Sequence, residues 1–142
     1  MVKPPRRRVI ELPRSLADQL IAHAREAAPH EACGLAGLSG SRVTTLRRAR
    51  NAAQTPHVRF TFDDDGYRQI IALEREGLDV GIYHSHPASP AYPSATDRAE
   101  MSPTWPDCLQ LMVTLATDPP QLNAYRISSD GTVRSEPISL LD

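Results

Sequence analysis

His84 and His86 stand one residue apart in the stretch YHSHPASPAYPSATD, which closes on Asp97, three residues after Ser94. On a strand, side chains alternate faces, so residues two apart point the same way. Two imidazoles on one face, near a strand's C-terminal end, can bring their nitrogens to the ~2.0–2.1 Å of zinc–nitrogen bonds on a single ion. A third ligand then has to come from outside the strand. Asp97, beyond a loop stiffened by Pro87, Pro90 and Pro93, can fold back to supply it. Two histidines and one aspartate leave the fourth tetrahedral position open, the arrangement of a catalytic zinc rather than a structural one. A water activated there needs a base to take its proton and an acid to protonate the leaving group. Glu31, placed between a helix and the stretch ACGLAGL, is the candidate. Read singly, these residues remain ambiguous: two histidines can be satisfied core side chains, and a glutamate at a helix end is usually solvated.

The elements that would position them follow from periodicity and breakers. Arg7 to Leu12 alternates as a first strand, stopped by Pro13. A helix to about Ala28 carries Leu16, Leu20, Ile21 and Ala24 on one face, and Pro29 ends it. Ala32 to Leu38 is small and apolar, a buried strand whose glycines permit close backbone approach. Ser39-Gly40-Ser41 turns into a second strand, about Arg42 to Arg50, and Val58 to Phe62 reads as another. Asp63, Asp64 and Asp65 cap a helix that runs to about Glu76 and stops at Gly77. Val80 to His86 is a strand with Val80, Ile82 and the two histidines on one face; Gly81, Tyr83 and Ser85 lie on the other. Leu109 to Thr117 is the most apolar strand, and Leu122 to Ser128 with Thr132 to Ile138 make a closing hairpin around Ser129-Asp130-Gly131. Two helices on a mixed sheet give an α/β or α+β sandwich. With no internal repeat, 142 residues read as one domain over 9–142 behind a basic N-terminal tail, 1–8.

Together, Glu31 with its ACGL, then His84-Ser85-His86, seven residues, Ser94, two residues and Asp97, resemble the JAMM motif of the catalytically competent MPN-domain metallopeptidases. Every motif position is filled at the full internal spacing, and the resemblance spans essentially the whole chain. It implies a single α/β MPN (JAMM) domain, a curved mixed sheet flanked by helices and similar to that of cytidine deaminases. It implies one Zn2+ held by His84, His86 and Asp97. Glu31 would serve as general base toward the water on the metal and pass the proton to the leaving amine, and Ser94 would help hold the tetrahedral oxyanion. Ser85, on the other face, would pack and hydrogen-bond. Deaminases themselves need His-x-Glu with Pro-Cys-x-x-Cys, and no CxxC is present. MPN scaffolds that have lost catalysis lack the metal ligands, which here are complete.

The resemblance also implies a substrate class: peptide or isopeptide bonds following the C-terminal diglycine of ubiquitin-like proteins. The chain has little room for the long insertions of eukaryotic deubiquitinases. It is similar instead to short bacterial and archaeal members, including the mycobacterial type acting on sulfur carriers of the ThiS/MoaD kind and their cysteine adducts. The stretches HEACGLAGL, IYHSHPASPAYPSATD and AYRI carry that likeness. The expected partner is a ubiquitin-like sulfur carrier ending in Gly-Gly. The alternatives are a non-catalytic zinc-containing binding module and an isopeptidase acting on another ubiquitin-like modifier.

Composition narrows the rest. A net charge of −1 and the lack of a long basic stripe disfavour nucleic acid as partner and a nuclease reading of the site. The four positive charges of MVKPPRRR read as a solvated tail, and no apolar segment follows Arg8 to make a signal peptide. No stretch approaches the ~20 apolar residues of a membrane helix, so the expectation is a cytoplasmic protein without membrane contact. Nothing in the sequence sets an oligomeric state. Cys33 and Cys108 read as buried small hydrophobes. His23, His30 and His57 read as structural or surface histidines, Trp105 as a packing anchor, and Arg47, Arg48 and Arg50 as the outward face of a strand. Tyr92, in the ligand loop, could touch a substrate tail.

Overall fold

Alternation of apolar side chains along the strands gives one sheet with two buried faces. In the computed structural model, which describes residues 8–142, the order is β1 (Ile10–Pro13), α1 (Arg14–Ala27), β2 (Cys33–Ser39), β3 (Arg42–Ala49), α2 (Asp64–Arg75), β4 (Asp79–His86), α3 (Ala95–Thr104), β5 (Leu109–Thr114), β6 (Gln121–Ile127), β7 (Val133–Glu136) and β8 (Ile138–Leu141). The eight strands pair as β7-β6-β5-β4-β2-β3-β1-β8. β4 runs parallel to β5, and β1 parallel to both β3 and β8; the other pairs are antiparallel. The sheet is therefore mixed, and helices cover both sides of it.

Successive residues sort cleanly between the layers. Ala36 and Leu38 of β2, Tyr83 of β4 and Leu109, Leu111 and Val113 of β5 pack with Leu20 and Ala24 of α1. Cys33 and Leu35 of β2 and Ile82 of β4 pack with Ile70 and Leu73 of α2 and Met101 of α3. The histidines of β4 follow the parity of Ile82 and so belong to the α2/α3 side. α2 is capped as its acidic run suggests, with Asp63 Oδ1 accepting the Gly66 N–H at 3.0 Å, and Gly77 ends it at φ +81°.

Close approach on the α1 side depends on Gly34. A Cβ there would lie 2.3 Å from two Tyr83 ring atoms and 2.5 Å from the Arg47 carbonyl oxygen, and the latter is backbone that cannot swing away. Gly34→Ala is expected to cost about 2–3 kcal/mol through overpacking and to lower Tm by roughly 6–12 °C. Thermal unfolding followed by circular dichroism measures it, and an unchanged Tm would refute the close-approach account.

Three sequence expectations are corrected. Val58 to Phe62 is not a strand: it runs as an irregular segment whose one bridge is Asn51↔Phe62, while Phe60 and Phe62 pack on the sheet through their side chains. A third helix, α3, occupies Ala95–Thr104, where a loop was expected. The closing strand breaks at Pro137, and Ile138–Leu141 leaves the hairpin to pair with β1 on the opposite edge. Of the expected basic tail, residues 1–7 lie outside the described residues; Arg8 is exposed, and its backbone N–H reaches Glu136 Oε2 at 3.2 Å.

Candidate metal centre

Four elements converge at the C-terminal end of β4. His84 and His86 point from that strand toward α3, buried to 1 % and 3 % exposure. The strand then enters a loop pinned by side chains of β5 and β6: the Thr114 hydroxyl donates to the Ser89 carbonyl at 2.5 Å, and the Tyr125 hydroxyl to the Ala91 carbonyl at 2.6 Å. Pinning aims the Pro90 carbonyl at His86 Nδ1, 2.7 Å away. That carbonyl can only accept, so it fixes the proton on Nδ1 and leaves Nε2 to face inward.

The same loop ends in the N-cap of α3. Asp97 N–H donates to Ser94 Oγ at 3.0 Å, and Ser94 N–H donates to Asp97 Oδ2 at 2.9 Å, a reciprocal capping box. The box holds the Asp97 carboxylate with Oδ2 3.1 Å from His86 Nε2 and 3.4 Å from His84 Nε2. Glu31 arrives from the segment before β2, 4 % exposed. Its N–H donates to the Pro56 carbonyl at 2.6 Å, and its carbonyl accepts from Asn51 Nδ2 at 3.0 Å. One ligand-type atom from each of Glu31, His84, His86 and Asp97 lies within 4.8 Å of the others. The structure thus brings together four of the five residues that the sequence singled out. The fifth, Ser94, sits beside them, exposed, with its Oγ engaged as the helix cap.

The electrostatics of the cluster are those of a cation site. Burial pushes the Asp97 carboxyl up, but the bonds from His84 and His86, with the Ser94 N–H, outweigh it and hold the group well below the usual carboxylate range. Burial lowers His86, yet Asp97 and the Pro90 carbonyl more than compensate, so it takes a proton more readily than a free imidazole. Burial raises Glu31, with the Asp97 charge adding to it against the opposing influence of His84. Glu31 Oε1 and His84 Nδ1 are buried with no hydrogen-bond partner. Inward-facing imidazole nitrogens, one carboxylate oxygen between them and an unpaired second carboxylate suit a divalent ion, and the donor types are those zinc accepts. A carbonyl orienting the far nitrogen of a ligating histidine, as Pro90 does for His86, is the usual companion of such a site.

A groove of about 270 Å³ lies between α3 and segment 60–67, lined by Phe60, Phe62, Tyr67, Met101 and Trp105 among others, and borders the cluster through Phe60, which stacks on His84. Trp105, at the end of α3, packs into the core cluster and also forms the groove wall. Tyr92 is exposed on the ligand loop, its ring edge-on to Tyr125 at 5.5 Å. The remaining histidines lie elsewhere: His23 Nδ1 is 2.7 Å from the Tyr83 hydroxyl on the α1 face, and His30 and His57 are exposed. Burial pushes the Cys33 thiol up to about 12 and the Cys108 thiol up to about 11, so neither is a nucleophile near neutral pH. Arg47 and Arg48 pair on the surface with Glu76 and Glu26. Ser85 faces away from the cluster and ties β4 to β2: its Oγ accepts the Ala32 N–H at 2.7 Å, and its own N–H donates to the Ala32 carbonyl at 2.9 Å. Sequence reasoning passed over Asn51 and Phe60. The Phe60 ring stacks on His84, centroids 4.6 Å apart at 26°, and only long-range contacts reveal either residue.

Residues 13–128 match the family model described as prokaryotic homologs of the JAB domain. The desampylase of Haloferax volcanii is 44 % identical over 103 residues, covering 67 % of this chain and 73 % of its own. The CysO-cysteine peptidase of Mycobacterium tuberculosis is 38 % identical over 141 residues, covering 94 % of this chain and 92 % of its own. Among solved structures, a Desulfitobacterium hafniense protein determined in solution superposes with a TM-score of 0.77 at 34 % identity, over 94 % of both chains.

Proposed function

Since the chain belongs to the prokaryotic homologs of the JAB domain and is a peptidase of that family, we propose that it is a zinc metallopeptidase acting on conjugates of a ubiquitin-like sulfur carrier. The bond cut is the peptide or isopeptide bond after the carrier's C-terminal Gly-Gly. Residues 9–142 form the catalytic domain, with the basic stretch 1–8 outside it. The observation that carries this reading is the convergence of Glu31, His84, His86 and Asp97 in one buried cluster.

His84, His86 and Asp97 would hold the ion. When bound, it supplies Lewis acidity and makes water a nucleophile near neutral pH. Glu31, with its free and buried Oε1, takes a proton from the attacking water and returns it to the leaving amine. Its raised pKa places it closer to the operating pH, where a proton shuttle is most effective. The hydroxyl hydrogen of Ser94 is not used in the capping bond, since the oxygen there accepts, and so remains available to the developing oxyanion. A diglycine tail, lacking side chains, can lie extended in a narrow approach to the cluster.

The test is mass spectrometry of a diglycine-terminated sulfur carrier, fused to a short C-terminal extension, after incubation with the protein. A new carrier mass ending at Gly-Gly, absent with chelator, is the expected result. An intact fusion beside demonstrably bound zinc would refute cleavage of linear extensions and leave the isopeptide for trial.

Proton competition at the site is also measurable. Because His86 is raised, a proton must leave it before zinc binds, and below that raised pKa the apparent affinity is expected to fall by up to about tenfold per pH unit. Competition with a fluorescent chelator at pH 6, 7 and 8 reads the slope; a flat profile would contradict the raised proton affinity of His86.

A further inference from the structure

The two candidate ligands on β4 are oriented in different ways. His86 is fixed by a hydrogen bond from Nδ1 to the Pro90 carbonyl, whereas His84 Nδ1 is buried without a partner. What contacts the face of the His84 ring is Phe60, itself 3 % exposed and stacked at 4.6 Å. Phe60 belongs to the irregular segment between β3 and α2, whose ladder contacts are limited to the bridge Asn51↔Phe62 and the Ala52 N–H donated to the Thr61 carbonyl at 2.9 Å. Beyond those contacts, one side chain gathers its backbone groups. Asn51 Nδ2 reaches the carbonyls of Arg59 at 2.9 Å, Glu31 at 3.0 Å and Pro56 at 3.3 Å. Asn51 Oδ1 accepts the N–H groups of Ala53 at 3.0 Å and Thr61 at 3.4 Å. Pro56, held by this clamp, accepts the Glu31 N–H in turn.

We infer that Asn51 is a positioning residue for the active site, which sets the Glu31 backbone directly and the His84 imidazole through Phe60. The inference rests on the metal-site reading above. The carboxamide is suited to the task because it presents donor and acceptor together, and neither an aspartate nor a leucine of similar size can satisfy carbonyls and N–H groups at once. Phe60 supplies by ring contact the orientation that a hydrogen bond supplies at His86. Loss of an orienting partner behind a metal ligand typically weakens metal binding by about 10–100-fold.

The experiment measures zinc affinity by chelator competition on the full chain, with the Co2+ absorption spectrum as a second readout. Variants are Asn51→Ala, Phe60→Leu and Phe60→Tyr. Asn51→Ala and Phe60→Leu are each expected to lose about tenfold or more in affinity and to shift the Co2+ bands. Phe60→Tyr, which keeps a ring against His84, is expected to stay within about threefold of wild type. Asn51→Ala should also lower kcat with KM nearly unchanged, since Glu31 is displaced. Wild-type zinc affinity and Co2+ bands in both Asn51→Ala and Phe60→Leu, with only Tm reduced, would overturn the inference and leave a structural role. Should Asn51→Ala not fold, the contrast between Phe60→Leu and Phe60→Tyr decides. A wild-type chain that binds neither ion would instead sink the metal-site reading itself.

Discussion

Glu31→Gln is expected to lower turnover of a diglycine-linked carrier by about 10³–10⁴-fold, near the upper end of what a positioned general base contributes, while zinc affinity stays within about threefold. Glutamine keeps the shape and the contacts of the backbone on either side, which Pro56 and Asn51 hold independently of the side chain. It removes the negative charge and with it the capacity to accept a proton. The structure sharpens the expectation, because Glu31 Oε1 makes no hydrogen bond within the protein, so the substitution breaks none at that atom. The carboxylate is nevertheless close enough to the other three groups to act as a fourth ligand instead. The two roles separate cleanly in one pair of measurements. A base loses kcat alone, whereas a ligand loses zinc affinity and kcat in step. Retained turnover would remove Glu31 from the reaction.

Asp97→Asn is expected to weaken zinc binding by at least about 10³-fold, which converts to roughly 4 kcal/mol. A single oxygen, Oδ2, faces both imidazole Nε2 atoms and also accepts the Ser94 N–H. The amide keeps an oxygen for that N–H but carries no charge for the ion. The α3 cap should therefore survive, with helix content unchanged, whereas Asp97→Ala should lose about 1 kcal/mol of capping as well. The metal-free proteins should differ in acid. The Asp97 carboxyl lies below its unfolded value, so its stabilisation is present above about pH 4 and is lost as pH falls through the folded pKa. Wild type should show that loss below pH 4, and Asp97→Asn should lack it. Chelator competition and urea unfolding between pH 2 and 6 are the measurements. Near-wild-type zinc affinity in Asp97→Asn would refute its role as a ligand.

How much of this was legible in the sequence depends on the range of the interaction concerned. The two-residue spacing of His84 and His86 is a local property of a strand, and β4 presents both on one face as expected. Tyr83 and Ser85 face the other way, also as expected. Ser94 and Asp97 were legible as a motif but not as a helix start, although serine followed three residues later by an acid is a capping pattern. α3 hid because its amphipathic pattern is weak and Pro103 lies within it. Segment 58–62 carries strand-like residues, yet Asn51 takes the Arg59 carbonyl and the Thr61 N–H that a neighbouring strand would have needed. β8 was invisible for a different reason. Its partner is β1, and no local signal announces a pairing between Ile10 and Ile138.

That last pairing has a kinetic consequence. The seam between β1 and β8 joins positions 128 apart, the kind of contact whose loop-closure entropy must be met before it returns any stability. The α/β units between β2 and β6 can assemble from nearer neighbours first. Until the seam closes, β1 is an open edge, offering the backbone of Ile10 and Leu12 to any passing strand. Pro13 limits the danger, since it ends that edge with a residue that has no N–H to donate. Refolding should therefore finish at this seam, and amide exchange should find it the first part of the sheet to open.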